Sequence, residues 1–123
     1  MPLEIQKYLF DIRTSIDSIN DYLGEHYRFD VYVANKQLRR SVERELEIIG
    51  EAVGRILQLD ANITISNARK IVNLRNRVIH AYDNVNDETV WGIVINHLPK
   101  LRDEVEVLLK GNTIDNTMNI KQL

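Results

Sequence analysis

The chain has 123 residues, with 16 basic and 18 acidic side chains, a formal charge of −2 and no cysteine. That length buries one core rather than two, and the near-neutral charge excludes a global basic field for long nucleic acid, so any phosphate recognition must be local. The missing cysteines exclude disulfides, thiolate metal sites and a thiol nucleophile, and no apolar run approaches the roughly 18 residues of a membrane span.

The N-terminal stretch MPLEIQKYLFDIR carries charges throughout, unlike a secretion signal, and predicts a cytoplasmic protein with no membrane association. Ile5, Leu9, Ile12, Ile16, Ile19 and Leu23 recur at helical spacing and predict a first helix, stopped by Gly24. The aromatic-rich HYRFDVY, residues 26–32, reads as a brief extended link. Asn35 is a candidate N-cap for a second helix whose stripe is Leu38, Val42, Ile49, Val53 and Ile56. Residues 62–64 then connect to a third helix, with Ser66 as its candidate cap, running through KIVNLRNRVIHAY to the turn-favouring DNVND. Asp87 is the candidate cap of a fourth helix with Trp91, Val94, Leu98, Leu101, Val105 and Leu108 on one face, kinked by Pro99. Residues 1–110 form the predicted domain, and 111–123, from Gly111 onward, a flexible C-terminal tail. Strand alternation, repeats and low-complexity segments are lacking. The short connections predict an all-α, antiparallel up-down four-helix bundle.

Residues 75–82, RNRVIHAY, concentrate hydrogen-bonding and ionisable groups in two helical turns. At about 100° per residue, Ala68, Ile71, Val72, Val78 and Ile79 share an apolar face with Arg75 in its middle, and Tyr82 returns near Arg75. Arg69, Asn73, Asn76 and His80 take the opposite side. A guanidinium on an apolar face needs a carboxylate, a carbonyl cluster or an open wet cleft. Glu45 on the second helix is one candidate partner, and an internal Arg–Glu pair that fixes helix register is one account of Arg75. Singly, His80 reads as a helix-end histidine and Tyr82 as a packing residue. Asn76 and His80 are four apart, so the amide can orient the imidazole.

Together these groups suit phosphate chemistry. Arginine offers a fixed fork of donors for phosphate oxygens, and histidine moves protons near neutral pH. RNA carries its own nucleophile in the 2′-hydroxyl, so a proton shuttle and a charge stabiliser suffice for transesterification without metal. The other histidines, His26 and His97, show no metal-ligand spacing, and no metal or cofactor is expected. Arg39, Arg40 and Arg44 on the second helix could attract RNA, although mixed-charge helix faces are usually just solvated.

Arg75 to His80 reads R-x4-H with asparagine directly after the arginine, and it continues into H-x-Y at Tyr82. With RELEIIGEAVGRI at 44–56, which contains I-G-E-A, and Trp91 and HLPKL further on, the chain resembles the HepT-like toxins of the HEPN ribonuclease superfamily. The similarity covers residues 1 to about 110. The resemblance implies that Arg75 and His80 are the catalytic pair, Asn76 a supporting polar residue and Glu51 a possible supporting partner of the arginine. It further implies a homodimer whose motif helices face a shared cleft. Tyr82 would be the residue to which an MntA-type nucleotidyltransferase antitoxin transfers AMP, silencing the toxin.

Two functional readings follow. One is a metal-independent endoribonuclease toxin of a toxin–antitoxin pair acting on RNA. The other is a noncatalytic helical subunit of a nucleotidyltransferase complex, in which the same Arg and His hold a nucleotide. An intact Arg–His pair favours the nuclease, because binding alone needs no proton shuttle.

Overall fold

The computed structural model describes residues 1–25, 27–73 and 87–121. All regular structure among them is helical: α1 (Leu3–Leu23), α2 (Phe29–Ala34), α3 (Lys36–Leu59), α4 (helical over 68–73), α5 (Asp87–Asn96) and α6 (Leu98–Lys121). The all-α helical bundle expected from periodicity is what the chain forms.

Helix α1 buries the predicted stripe without exception: Ile5, Leu9, Ile12, Ile16, Ile19 and Leu23 are each at most 3% exposed. Gly24 ends it at φ 58°, a conformation that costs glycine little, and its N–H donates to the Asn20 carbonyl at 2.9 Å. Helix α3 supplies the facing stripe of Val42, Leu46, Ile49, Val53 and Ile56, all buried, and α1 packs along it. Each such side chain contributes about 1.5–3 kcal/mol by leaving water. Asn35 does cap α3, its Oδ1 accepting the Leu38 N–H at 3.0 Å.

Helix α6 closes the other side of α1 through two ion pairs. Arg13 Nη1 donates to Glu106 Oε1 at 2.8 Å, and Arg102 Nε donates to Asp17 Oδ1 at 2.8 Å. Residue numbers rise along α1 as they fall along α6, so these two helices are antiparallel. The Arg13 hydrogen bond is the main reason the Glu106 carboxyl sits below its usual range. The Asp17 hydrogen bond likewise holds the Arg102 proton more firmly.

Four local expectations are corrected. Residues 29–34 of the expected link are helical. Phe29 and Tyr32, three apart, both lie against Trp91, with ring centroids 6.1 and 5.3 Å away, so aromatic packing across the bundle favours a turn of helix over an extended strand. The third helix is entered from Asn67 rather than Ser66: the Asn67 carbonyl accepts the Ile71 N–H at 3.0 Å, while the Ser66 N–H is drawn off to Glu104 Oε2 at 2.8 Å. Asp87 lies inside the first turn of α5 rather than ahead of it. The fourth helix is divided at His97, just before the Leu98–Pro99 bond, as expected where proline removes a donor. Its second part, α6, continues beyond Gly111 to Lys121 in place of the helix end expected there.

Candidate functional site

Arg75, Asn76, His80 and Tyr82 lie outside the described residues, within 74–86. Their two flanks are described, and both are firmly anchored. Upstream, Asn67 adopts φ 60°, a left-handed turn that asparagine tolerates better than most residues. It follows the Ser66–Glu104 contact to α6 and delivers the chain into α4. Ala68 is buried beside Ile65, and Ile71 and Val72 pack partly against the core. A Cβ on Gly54 would lie 3.7 Å from the Val72 side chain. The glycine therefore marks where α4 rests on α3, and an alanine there would make ordinary contact. Only two peptide steps separate Asn73 from Arg75, a reach of at most about 7 Å.

Downstream, α5 begins at Asp87, whose Oδ1 is 3.8 Å from Arg39 Nε on α3. Arg39 also donates to the Val33 carbonyl at the end of α2. Three turns of the bundle thus meet where the chain re-enters from the motif segment. Beneath them Tyr32 is wholly buried, and its hydroxyl has no hydrogen-bond partner among the described residues. Burial first, then the nearby Glu43 and Asp87 carboxylates, push its ionisation far above the ordinary range, with Arg39 opposing. Tyr32 is therefore a neutral phenol at any physiological pH. Val90 and Val94 secure α5 to the core, and Trp91 is ringed by Tyr27, Phe29 and Tyr32.

Among the remaining sequence-level candidates, Glu51 is exposed on α3 as its period requires, and its Oε1 lies 4.0 Å from Arg55 Nη2. Glu45 is half-buried on the same helix, with no ion pair to it among the described residues. Arg40 pairs with Glu43 at 3.0 Å, and Arg44 is exposed. Of the three arginines considered for RNA, two thus have carboxylates near them. His97 is exposed at the α5–α6 junction, and His26 lies outside the described residues. Sequence reading missed the Arg39–Asp87 tie and the buried Tyr32 hydroxyl. Both arise between elements distant in the chain, where no local spacing signals them. No helix among the described residues is long and apolar enough to cross a membrane.

Comparison with known proteins adds the context. The family profile described as "Ribonuclease HepT-like" matches residues 12–108, which include α3, α4, α5 and the whole motif segment. A Methanocaldococcus jannaschii protein named "Putative RNase MJ0127" is 32% identical over 108 residues, 87% of this chain and 88% of that protein. A second from that organism, "Putative RNase MJ1380", is 32% identical over 107 residues, 85% of this chain and 96% of the relative. A Thermococcus cleftensis protein named "Probable ribonuclease HepT" is 33% identical over 107 residues, 84% of this chain and 94% of its own length. No solved structure matches the chain.

Proposed function

The chain belongs to the ribonuclease HepT-like family, and from that premise we propose that it is a metal-independent endoribonuclease whose catalytic pair is Arg75 and His80. The observation that carries this reading is the RNRVIHAY sequence at 75–82 inside the family match over 12–108. In the reaction, His80 takes the proton from an RNA 2′-hydroxyl, and the freed oxygen attacks the adjacent phosphorus. The bond to the 5′-oxygen of the next nucleotide breaks, and that oxygen takes the proton back from the His80 imidazolium, directly or through water. The products are a 2′,3′-cyclic phosphate and a 5′-hydroxyl. Arg75 meets the charge that develops on the phosphorane oxygens, and Asn76 orients the imidazole. Glu51 is proposed as a supporting partner of Arg75, in addition to its contact with Arg55.

The test is cleavage of RNA by the purified protein in the presence of EDTA, compared with His80→Ala. Wild type should cleave, and the variant should lose activity by about 10²–10⁴-fold, the range ascribed to proton transfer. Cleavage by the variant at the wild-type rate refutes the mechanism. Nucleotide binding without any cleavage by wild type favours the noncatalytic nucleotide-binding subunit instead.

The toxin role follows the same premise: a cytoplasmic homodimer whose paired motif segments form one cleft, restrained by an MntA-type nucleotidyltransferase antitoxin. AMP on Tyr82 would place a phosphodiester anion near Arg75, two residues beyond His80, and so compete with an RNA phosphate by charge and by volume. Intact-mass and peptide mass spectrometry after incubation with that enzyme, ATP and Mg²⁺ should find AMP on Tyr82. AMP on another residue, or normal silencing of Tyr82→Phe, removes the regulatory assignment and leaves the nuclease intact.

A further inference from the structure

Between α4 and α5 lies a cavity of ≈ 320 Å³ whose wall includes Asn67, Lys70, Ile71 and Asn73 on one side and Ile93 and His97 on the other. Its floor is apolar, because Ile71 and Ile93 are both partly buried against the core. Its rim is polar and accessible: Asn67, Lys70, Asn73 and His97 are all exposed. Among the described residues, the wall contains no carboxylate. Two other cavities differ in this respect. One is bordered by Asp103 and Glu104, and the other by Asp103 together with an Arg102 already paired to Asp17. In a chain with more acidic than basic residues, a hollow with a lysine on its rim and no acid among its described wall residues opposes an anion less than either of these two.

We propose that this cavity is a nucleotide subsite, receiving the RNA residue next to the scissile phosphate. The inference rests on the ribonuclease reading and adds to it the group that positions substrate. An apolar floor accepts the face of a base. Two asparagine amides offer both donors and acceptors to base edges, the mode by which unpaired RNA is read. Lys70 neutralises a flanking phosphate as a mobile point charge, and the His97 ring adds a surface for stacking. Covalent connection limits the distance: Asn73 belongs to the wall, and Arg75 is two residues further on, so this one wall residue lies within about 7 Å, Cα to Cα, of the arginine proposed to meet the phosphate.

The test uses the full-length protein and a fluorescently labelled 2′-O-methyl oligoribonucleotide of mixed sequence. That probe cannot be cleaved because its nucleophile is blocked, so binding is read apart from catalysis. Lys70→Ala should weaken binding at least fivefold and lower the slope of log affinity against log salt by about 0.7, the loss of one single-strand phosphate contact. Lys7→Ala, on the exposed surface of α1 away from the cavity, is the charge-matched control and should change affinity less than twofold. Ile93→Trp, which fills the hollow, should weaken binding at least tenfold with unchanged elution on gel filtration. The proposal is overturned if Lys70→Ala and Lys7→Ala bind alike, or if wild type fails to bind the probe up to millimolar concentration. It is equally overturned if Ile93→Trp shifts the elution volume while leaving RNA affinity unchanged, because the hollow would then be a protein–protein surface. Should Ile93→Trp not fold, the exposed Lys70 substitution still decides. A protein that cleaves RNA yet fails these binding tests loses the subsite alone; one that binds but never cleaves loses the nuclease reading alone.

Discussion

Helices α3 and α4 touch at Gly54 and Val72, yet they use their sequences in opposite ways. Along α3, Val42, Val53 and Ile56 are completely inaccessible, and the polar residues stay on the outer face. Along the described part of α4 only Ala68 is buried; Ile71 and Val72 are half-covered, and Arg69, Lys70 and Asn73 face solvent. The α1–α3–α6 side is a scaffold whose periodic stripes are buried, while apolar residues off those stripes, such as Leu3, Phe10, Ile48 and Val107, stay exposed. The α4–α5 side gives up some of that burial and keeps polar groups beside the segment that carries Arg75 and His80. On the proposed function, stability rests with the scaffold and chemistry with the motif segment, and substitutions should separate them.

The largest separation is expected between activity and stability at His80. His80→Ala should remove cleavage by the factor given above while thermal unfolding stays near wild type. A variant that loses stability and activity in proportion would merge the two regions. Next is Ile12→Ala on the scaffold, which should cost about 2–5 kcal/mol, measured by urea unfolding. Ile71→Ala on the half-covered flank should cost clearly less, and equal costs would deny the difference in packing. Smaller still, Tyr32→Phe should raise stability by about 1 kcal/mol, since it deletes a buried hydroxyl that lacks a partner among the described residues. A loss of stability would mean that the hydroxyl is satisfied.

The smallest effect concerns pH. Arg13 lowers the proton affinity of Glu106 in the folded protein, so the folded state prefers the ionised carboxylate. Its contribution is complete above the unfolded-state value of about 4.3 and is lost as pH falls from there through the depressed folded value. The stability gap between wild type and Glu106→Gln should therefore be largest near neutrality and shrink below about pH 4. A gap that widens on acidification contradicts the pairing.

The scaffold was legible because burial follows period. Every residue of the α1 stripe is buried, and Asn35 and Gly24 act at the helix ends as their chemistry suggests. Interactions between distant elements were not legible. The helical form of residues 29–34 depends on Trp91, the entry at Asn67 on Glu104 and the start of α5 on Arg39. The helix beyond Gly111 shows a different limit: one glycine is a weak stop signal when the following residues can still form backbone hydrogen bonds. The motif itself was read from residue identity and spacing, and the chemistry of its arginine, histidine and tyrosine is the proposal made above.

The central claim is that cleavage borrows the 2′-hydroxyl of the substrate. It is tested most directly with an RNA cut at one mapped position, remade with a single 2′-deoxy nucleotide immediately 5′ of the scissile phosphate. The account predicts that cutting at that position disappears in the deoxy substrate, while the parent RNA yields a 2′,3′-cyclic phosphate in EDTA. Continued cutting of the deoxy substrate at the same bond would show that the nucleophile is water or a protein group, and would contradict the mechanism assigned to Arg75 and His80.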